Sequence, residues 1–300
     1  MTPRPLKRPL YRMYQLGYWI RRGEWRVVAA LVRGGRLSRP AGAVSAAQVS
    51  IALTVYNRAT LVGEAVRQVA ADPRVAEIVV SDDASEPSEY RRLCTILTEL
   101  GPKVRIHRND RNRGPLWNKH RAVSLCTSEF AILFDSDNVL EPGYLDRLFR
   151  AAPWRRDCFY CPEYARPRFD LRLFGGMTLD LALVRRAMLA DPSDRRIDLL
   201  LNVGNHLVPV REYCDAIGPF RDLAVHAADA FAASYLWLRQ GGRLHVLQGL
   251  AYDHRVHDAS YSQATRGDTT RGIAGIRDAI LAERAWPQGA EDGLRGAGGA

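Results

Sequence analysis

Two aspartates, Asp135 and Asp137, stand one residue apart where the apolar run "FAILFD" continues into "SDN". Carboxylates this close repel each other, and burial makes the charged forms less favourable still. A hard divalent ion such as Mg²⁺ or Mn²⁺ relieves the repulsion, because it prefers oxygen ligands and takes phosphate oxygens to complete its shell. The pair therefore predicts a Mn²⁺ or Mg²⁺ site that grips a diphosphate, although Asp-x-Asp alone is a short and common pattern.

Polar residues also follow the other apolar runs, at the points where strands are predicted to end. In parallel α/β sheets, ligands bind at the carboxyl ends of the strands. Side chains that follow successive strands therefore predict one polar crevice, although each of them alone is explained equally well by a turn or a helix cap. These residues are Tyr56, Asn57, Arg58, Asp82, Asp83 and Asn112.

Short β-branched runs alternate with helical patterns over the first half of the chain. The strands are predicted at "VSIALTV", "EIVVSD", "KVRIHR" and "FAILFD", and the helices at 59–72, 87–100, 115–126 and 142–150. This alternation predicts an α/β fold, with a Rossmann-like, mostly parallel sheet and helices on both faces. Beyond residue 150, "GNHLVPV" and "RLHVLQGLAY" predict strands and "ADAFAASYLWLRQGG" predicts a helix. They form a smaller mixed region whose strand order periodicity does not determine.

Net charge is concentrated at the N-terminus. Of the formal +10 over 300 residues, residues 1–40 contribute 10 − 1 = +9, from ten Lys or Arg against Glu24. This basic, aromatic-rich arm predicts peripheral contact with an anionic membrane. Nucleic acid is the other partner that it suits, but the almost neutral remainder argues against that, so no nucleic acid is expected. The predicted domains are an arm and linker (1–48), a domain at 49–262 with halves 49–150 and 151–262, and a C-terminal helix and disordered tail (263–300).

The chain has no apolar run of the ~20 residues that a membrane span needs, and no signal-peptide pattern at its start. Its five cysteines lack a paired spacing and are expected to be reduced thiols. These features predict a cytoplasmic protein, with membrane contact limited to the inner face of the cell membrane.

Residues 49–262 resemble the family-2 glycosyltransferases of the GT-A fold. The family begins with a "PTYNR"-like turn, here "LTVYNR", and continues with "VDDGS", here "SDDAS". A polar "NxG" segment follows, here "NRGPLWNKHRAV", and then "DxD", here "DSDN". The later segments are "GGFD", here "AIGPFRD", an acidic pair, here "HAADAF", and a closing histidine region, here "YDHRVHDASYS". The order of these segments is more specific than any one motif.

The resemblance implies a set of donor-binding residues. Asp83, with Asp82 beside it, is expected to hydrogen-bond the nucleotide base. Lys119 is expected to neutralise the diphosphate, and Arg255 to reach it. The residues expected to bind the nucleotide-sugar are Thr54, Tyr56, Asn57, Arg58, Asp82, Asp83, Asn112, Lys119, Asp135 and Arg255.

The resemblance also implies the catalytic base and the metal ligands. Asp229 stands where the family has its base, although Ala228 replaces the first acid of the usual pair. Either His254 or His257 is expected to complete the metal shell, and His257 is the closer match to "RxHxxS". Asn205 is expected to hydrogen-bond the acceptor, although a turn explains it equally well. The residues expected to hold the metal are Asp137, Asp135, His257 and His254.

The implied function is a metal-dependent, inverting transfer of a sugar from a nucleoside-diphosphate sugar, with UDP-sugar favoured. The acceptor is a hydroxyl of a glycan or lipid-linked acceptor, in glycan or surface polysaccharide assembly. A sugar-phosphate nucleotidyltransferase is one alternative, but it requires a glycine-rich phosphate loop after the first strand, where only Gly63 occurs. A non-catalytic binding protein that uses the basic arm is the other alternative, and it predicts steeply salt-dependent binding.

Overall fold

The computed structural model describes residues 43–167, 169–255 and 265–283. The predicted N-terminal arm (1–40), the C-terminal tail from 284 onward and the candidate ligand His257 lie outside the described residues. Within the described ranges, no helix is long and apolar enough to cross a bilayer.

Strands and helices alternate through the first half, as predicted. The strands are β1 (Ala43–Val44), β2 (Val49–Val55), β3 (Val75–Asp82), β4 (Val104–Arg108), β5 (Phe130–Asp135), β6 (Asn138–Leu140), β7 (Trp154–Arg155), β8 (Cys158–Arg166), β9 (Phe169–Asp170), β10 (Thr178–Leu179), β11 (Leu207–Pro209) and β12 (Arg243–His254). The helices are α1 (Ala59–Arg67), α2 (Pro87–Thr98), α3 (Pro115–Ser124), α4 (Tyr144–Arg150), α5 (Leu181–Ala190), α6 (Arg196–Asn202), α7 (Val210–Ile217), α8 (Asp229–Arg239) and α9 (Arg266–Leu281). Short 3-10 turns occupy Arg172–Phe174, Gly218–Phe220 and His226–Ala228.

Four parallel strands form the core of the main sheet, in the order β5-β2-β3-β4. Their residues are almost continuously buried in β2, β3 and β5, as expected for strands covered on both faces. The crossovers through α1 and α2 run in one direction across the sheet and the crossover through α3 returns past β2, so crossovers of the usual right hand place their helices on opposite faces. Helices therefore cover both faces, and the predicted α/β, GT-A-like class with a mostly parallel sheet is confirmed.

The second half extends the same sheet. Strand β11 lies antiparallel between β5 and β8, and β12 pairs parallel with β8 over most of its length. Strands β6, β9 and β10 add short antiparallel edges. The mixed region is thus continuous with the parallel sheet, because β11 joins the two.

The apolar core runs through both halves and includes the C-terminal helix. Phe159 stacks on Trp237 with ring centroids 4.2 Å apart, which joins β8 to α8. In α9, Ile276 and Ile280 are buried, and each such side chain stabilises the fold by about 1.5 to 3 kcal/mol. A methyl group on Gly272 of α9 would lie 3.6 Å from Ala228. Helix α9 therefore packs directly against the turn that precedes Asp229.

Several helices are shorter than their sequence patterns predict. Helix α1 ends at Arg67 instead of residue 72, and the chain then continues through turns to Asp72, whose side chain accepts a hydrogen bond from the Arg74 backbone. Helix α4 begins at Tyr144 instead of Pro142, because Gly143 adopts a left-handed φ of 76° that a helix cannot continue.

Candidate active site

The strand register brings the predicted polar residues to one edge of the sheet. Thr54 of β2 is paired with Asp135 of β5, and the next residue along β2 is paired with Asp82 of β3. Asp82 is in turn paired with Arg108 of β4. Strand β2 is also the point where the strand order reverses, with β3 on one side and β5 on the other. Open α/β sheets bind ligands at such a switch point.

The sequence Asp135-Ser136-Asp137 forms the DSD turn, and each of its two aspartates faces a basic side chain of the protein. Lys119 Nζ lies 2.8 Å from Asp135 Oδ1, and Arg58 Nη1 lies 2.9 Å from Asp137 Oδ2. Burial acts to raise the pKa of Asp135, but the charge of Lys119 outweighs it and holds that pKa below its usual range. Burial and the neighbouring charge of Asp135 raise the pKa of Asp137. The like charges at the end of β5 are therefore tolerated because two basic side chains compensate them.

Lys119 also contacts the predicted base. Its Nζ lies 2.7 Å from Asp229 Oδ2, so one ammonium bridges Asp229 and Asp135. Burial acts to lower the pKa of Lys119, but the two carboxylates raise it well above its ordinary value. Asp229 is the first residue of α8, where the helix N-terminus favours a carboxylate. The base candidate and the DSD turn thus belong to one cluster.

Asn205 lies beneath the DSD turn and is only 1% exposed. Its Oδ1 accepts hydrogen bonds from the Asp135 backbone at 3.1 Å and from Asn138 Nδ2 at 3.2 Å. Its backbone carbonyl accepts a bond from the Tyr144 hydroxyl at 3.0 Å. The φ of 58° is one that asparagine tolerates better than most residues. Asn205 therefore supports the turn, whereas the sequence also allowed it an acceptor contact, and that contact stays a prediction.

Gly204 provides the space in which Asp135 sits. A methyl group at this position would lie 2.7 Å from Asp135 Oδ2, which is closer than real contacts of this kind. It would also lie 3.9 Å from the hydroxyl of Tyr252, a residue of β12. Glycine at 204 is therefore required for the observed position of the Asp135 carboxylate.

His254 and Arg255, the described candidates of the closing segment, make different contacts. His254 lies next to the DSD turn, since its Nδ1 is 3.1 Å from Asn138 Oδ1 and its strand pairs with β6. Arg255 instead donates to Glu64 of α1 at 2.6 Å. Contact of Arg255 with a diphosphate therefore stays a prediction that requires this exposed pair to open.

The paired acids after β3 organise the neighbouring loops. Asp83 accepts hydrogen bonds from Asn109 Nδ2 at 2.8 Å and from the backbone amides of Arg113 and Gly114, both at 2.9 Å. Asp82 is fully buried and accepts from the Ser85 backbone. Burial raises the pKa of both carboxyl groups. A nucleotide base that binds here must use the remaining lone pairs of Asp83.

The remaining candidates lie at the rim of this sheet edge. Tyr56 is 43% exposed at the end of β2. Asn57 has a φ of 53° and links two loops, since its backbone amide donates to Ser85 and its Oδ1 accepts from the Glu86 backbone, both at 2.8 Å. Asn112 is exposed and accepts from the Gly114 backbone at 3.0 Å. Asn57 and Asn112 thus form turns in the described contacts, and their roles toward a nucleotide-sugar stay predictions.

Two buried residues near the cluster had no role in the sequence prediction. His206 is 4% exposed, and its Nε2 has no partner among the described residues. Burial, assisted by the charge of Lys119, lowers the pKa of His206 to about 3. Asn118 fixes α3 on β3, since it accepts from Ser81 Oγ at 2.7 Å and donates to the Ser81 carbonyl at 3.0 Å. An asparagine in mid-helix is a poor helix former, and this is the signal by which the sequence could have indicated such a role.

The side chains of the site supply only part of the ligand shell that a divalent ion requires. Within the described ranges, no three His, Cys, Asp or Glu side chains group closely enough to hold a metal by themselves. Asp135 and Asp137 nevertheless present hard oxygen ligands on one turn, with the His254 imidazole beside them. Mg²⁺ and Mn²⁺ are commonly held by one or two carboxylates together with substrate phosphates. The residues therefore fit an ion that is shared with a bound diphosphate.

The chain is an α/β protein of the GT-A type. Three features define this type here: the parallel sheet with its switch point at β2, the DSD turn and the antiparallel extension. Residues 50–179 match the model of the family described as "Glycosyl transferase family 2". The resemblance seen in the sequence is therefore confirmed over residues 50–179.

Solved structures share this fold at low identity. S. aureus TarS 1–349 in complex with UDP-GlcNAc has a TM-score of 0.55 and 15% identity, and the match covers 79% of this chain and 71% of that one. The mannosyltransferase PcManGT from Pyrobaculum calidifontis, in complex with GDP-Man and Mn²⁺, has a TM-score of 0.52 and 17% identity, with 97% and 85% covered. At these identities the similarity establishes the fold alone.

Two curated relatives are succinoglycan biosynthesis proteins of Rhizobium meliloti (strain 1021). ExoU is 27% identical over 112 residues, which cover 37% of this chain and 32% of ExoU. ExoO is 23% identical over 244 residues, which cover 78% of this chain and 68% of ExoO. The match thus spans about a third of ExoU and two thirds of ExoO.

Proposed function

We propose that the protein is a metal-dependent, inverting glycosyltransferase that moves a sugar from a nucleoside-diphosphate sugar to an acceptor hydroxyl. The observation that carries the proposal is the Lys119 bridge, with 2.8 Å to Asp135 and 2.7 Å to Asp229. It joins the predicted base to the predicted metal turn across elements that are remote in sequence. A transferase needs this proximity, because the acceptor must attack the carbon that the diphosphate leaves.

The proposed roles follow from the chemistry of each side chain. Asp229 accepts the proton of the acceptor hydroxyl as that oxygen attacks the anomeric carbon. Its Oδ2 faces Lys119, which leaves Oδ1 to take the proton. Asp137 and Asp135, with His254 beside them, would hold the divalent ion. The chemistry that the ion supplies when bound is stabilisation of the negative charge on the departing diphosphate.

Arg58 and Thr54 have supporting roles in this scheme. Arg58 compensates the charge of Asp137, and its guanidinium is also suited to the phosphate oxygens of a donor. Thr54 is paired in register with Asp135, at the floor of the switch point. A single displacement by one base on the face opposite the leaving group inverts the anomeric configuration.

The biological setting is proposed from the relatives. UDP-GlcNAc and GDP-Man are bound by the structural neighbours, so both nucleotides are candidates, with UDP-sugar favoured. The names of ExoO and ExoU support a glycan or lipid-linked acceptor in surface polysaccharide assembly. Peripheral attachment to an anionic membrane through residues 1–40 stays part of the proposal and is testable with the full chain and anionic vesicles.

Donor binding and transfer are the quantities that test the function. Thermal shifts with UDP and GDP, with and without Mn²⁺, are expected to show stabilisation by one nucleotide only when Mn²⁺ is present. Asp137→Ala is expected to weaken that binding. Asp229→Asn is expected to retain it and to lower transfer about 10²- to 10⁴-fold, which is the range for a lost general base. The anomeric configuration of the product, read by NMR, is expected to be inverted.

Asp215→Asn is the matched control, because Asp215 is an exposed aspartate on α7 outside the cluster. It removes the same charge and is expected to leave donor binding and transfer unchanged. If neither EDTA nor Asp137→Ala changes the affinity for the donor, metal dependence is contradicted. Transfer that persists in Asp229→Asn contradicts the role of the base.

A further inference from the structure

Lys119 is an unusual residue for this chain. Only three of the 43 Lys and Arg residues are lysines, at positions 7, 103 and 119. Arginine is thus the cation at nearly every surface and ion-pair position. The most enclosed cation of the site, by contrast, is a lysine. Its side chain is 13% exposed and contacts carboxylates from β5 and α8.

We propose that Lys119 is a positioning residue that holds the base Asp229 in a defined orientation toward the donor side by bridging it to Asp135. The inference rests on the proposed function and assigns Lys119 a role toward the base, whereas the sequence resemblance implied a role toward the diphosphate. One ammonium carries three donors around a compact charge, which suits two separate carboxylates. A planar guanidinium is better matched to two oxygens of one carboxylate.

Asp229 depends on this contact for its orientation. In the described part of the chain, Lys119 is the one cation within ion-pair distance of Asp229. The residue before it, Ala228, offers no side-chain cap to the start of α8. Among the described residues, the lysine is thus the cation that fixes the Asp229 carboxylate, so removal of the ammonium is expected to free that carboxylate to rotate.

The lysine is itself held firmly in place. Its neighbour Asn118 is 3% exposed and is hydrogen-bonded to both the hydroxyl and the carbonyl of Ser81 on β3. Asn109 Nδ2 donates to the same Asn118 oxygen at 3.1 Å. These bonds set the rotation of α3 about its axis, and this rotation directs the next residue, Lys119, at the space between β5 and α8.

The two roles for Lys119 predict different kinetics. A residue that neutralises the diphosphate contributes to donor affinity, so its loss raises the donor Kd. A residue that orients the base contributes after donor binding, so its loss lowers kcat and leaves the donor Kd nearly unchanged. A small misplacement of a catalytic group lowers the rate by about 100-fold.

The experiment compares Lys119→Met, Lys119→Arg and the control Lys103→Met in the full chain, with UDP and GDP sugars and Mn²⁺. Lys103 contacts the Asp72 carbonyl, away from the cluster. We expect Lys119→Met to lower kcat about 100-fold with the nucleotide Kd within about 3-fold of wild type. Lys119→Arg is expected to recover part of kcat, and Lys103→Met to match wild type. A loss of nucleotide affinity as large as the loss of kcat/KM overturns the proposal in favour of the diphosphate role.

A second measurement needs no activity and covers the case in which Lys119→Met fails to fold. With ¹⁵N-lysine labelling, three Nζ signals are possible, and a bridged, enclosed ammonium exchanges its protons slowly enough to be observed. Asp229→Asn is expected to shift or broaden that signal, whereas Asp215→Asn leaves it unchanged. An unaltered signal in Asp229→Asn overturns the bridge. If the signal responds but wild type transfers no sugar from any donor, the proposed function is wrong and the positioning role falls with it.

Discussion

Replacing Asn205 by glycine tests how the DSD turn is held. The substitution removes the oxygen that accepts from the Asp135 backbone and from Asn138 Nδ2, at 3.1 and 3.2 Å. Glycine adopts the φ of 58° without strain, so the backbone conformation is preserved. The change therefore isolates the two hydrogen bonds from the geometry of the chain.

The expected loss is large for one side chain. Asn205 is 1% exposed, so water does not replace the lost acceptor. Each buried donor left without a partner destabilises the fold by about 1 to 3 kcal/mol. Asn205→Gly also removes the Nδ2 group, which is buried without a partner among the described residues, so we expect a net loss of about 1 to 3 kcal/mol in the free energy of unfolding. Asn205→Ala is expected to lose about 1 kcal/mol more, because alanine is strained at a positive φ.

Urea unfolding of both variants measures these differences, and Mn²⁺-dependent nucleotide binding follows the state of the turn. Asn57→Gly is the matched control, because Asn57 has a similar φ of 53° and its Oδ1 accepts from the Glu86 backbone at 2.8 Å, but it is exposed. Water replaces the acceptor there, so we expect a loss below about 1 kcal/mol.

The result that refutes this reasoning is an Asn205→Gly variant whose unfolding free energy lies within about 0.5 kcal/mol of wild type. The turn would then be held by other contacts. If, in addition, such a variant bound donor normally but required more acceptor for half-maximal rate, Asn205 would be an acceptor-binding residue, as the sequence allowed.

Three further outcomes are expected. Gly204→Ala displaces the Asp135 carboxylate, whose Oδ2 would lie 2.7 Å from the new methyl group, so transfer is expected to fall about 10-fold or more with little change in Tm. The folded protein resists protonation of His206 until pH about 3, whereas the unfolded chain takes up this proton near pH 6.5. Stability is therefore expected to fall by up to about 1.4 kcal/mol per pH unit as pH drops through that window, and His206→Gln to flatten the urea-measured profile. Asn118→Ala removes the bonds to Ser81 and is expected to lower the unfolding free energy by about 2 to 4 kcal/mol.

The strands and the parallel class were readable from the sequence because their signals are local. "VSIALTV" and "FAILFD" are β-branched or aromatic apolar runs bounded by polar residues, and both form strands within the predicted residues. The polar residues after them reach one edge for the same reason, since parallel strands end on the same side. The order of motifs along the chain was equally visible, and it carried the family resemblance that the match at 50–179 confirms.

The partners of these residues were decided only by the tertiary structure. The pattern of "GNHLVPV" indicated a strand, but nothing local specified that β11 would lie antiparallel between β5 and β8. That position brings Asn205 beneath the DSD turn, where it bonds the backbone instead of facing solvent. Arg255 likewise pairs with Glu64 of α1, a partner 191 residues away in the sequence.

The sequence by itself thus determined which residues carry charge and oxygen ligands, and that the strands present them on one edge. It did not determine that Lys119 would stand between Asp135 and Asp229. Local propensity acts over a few neighbouring residues. The distance between side chains on α3, β5 and α8 depends on the packing of three elements, and this packing is settled by the whole core at once.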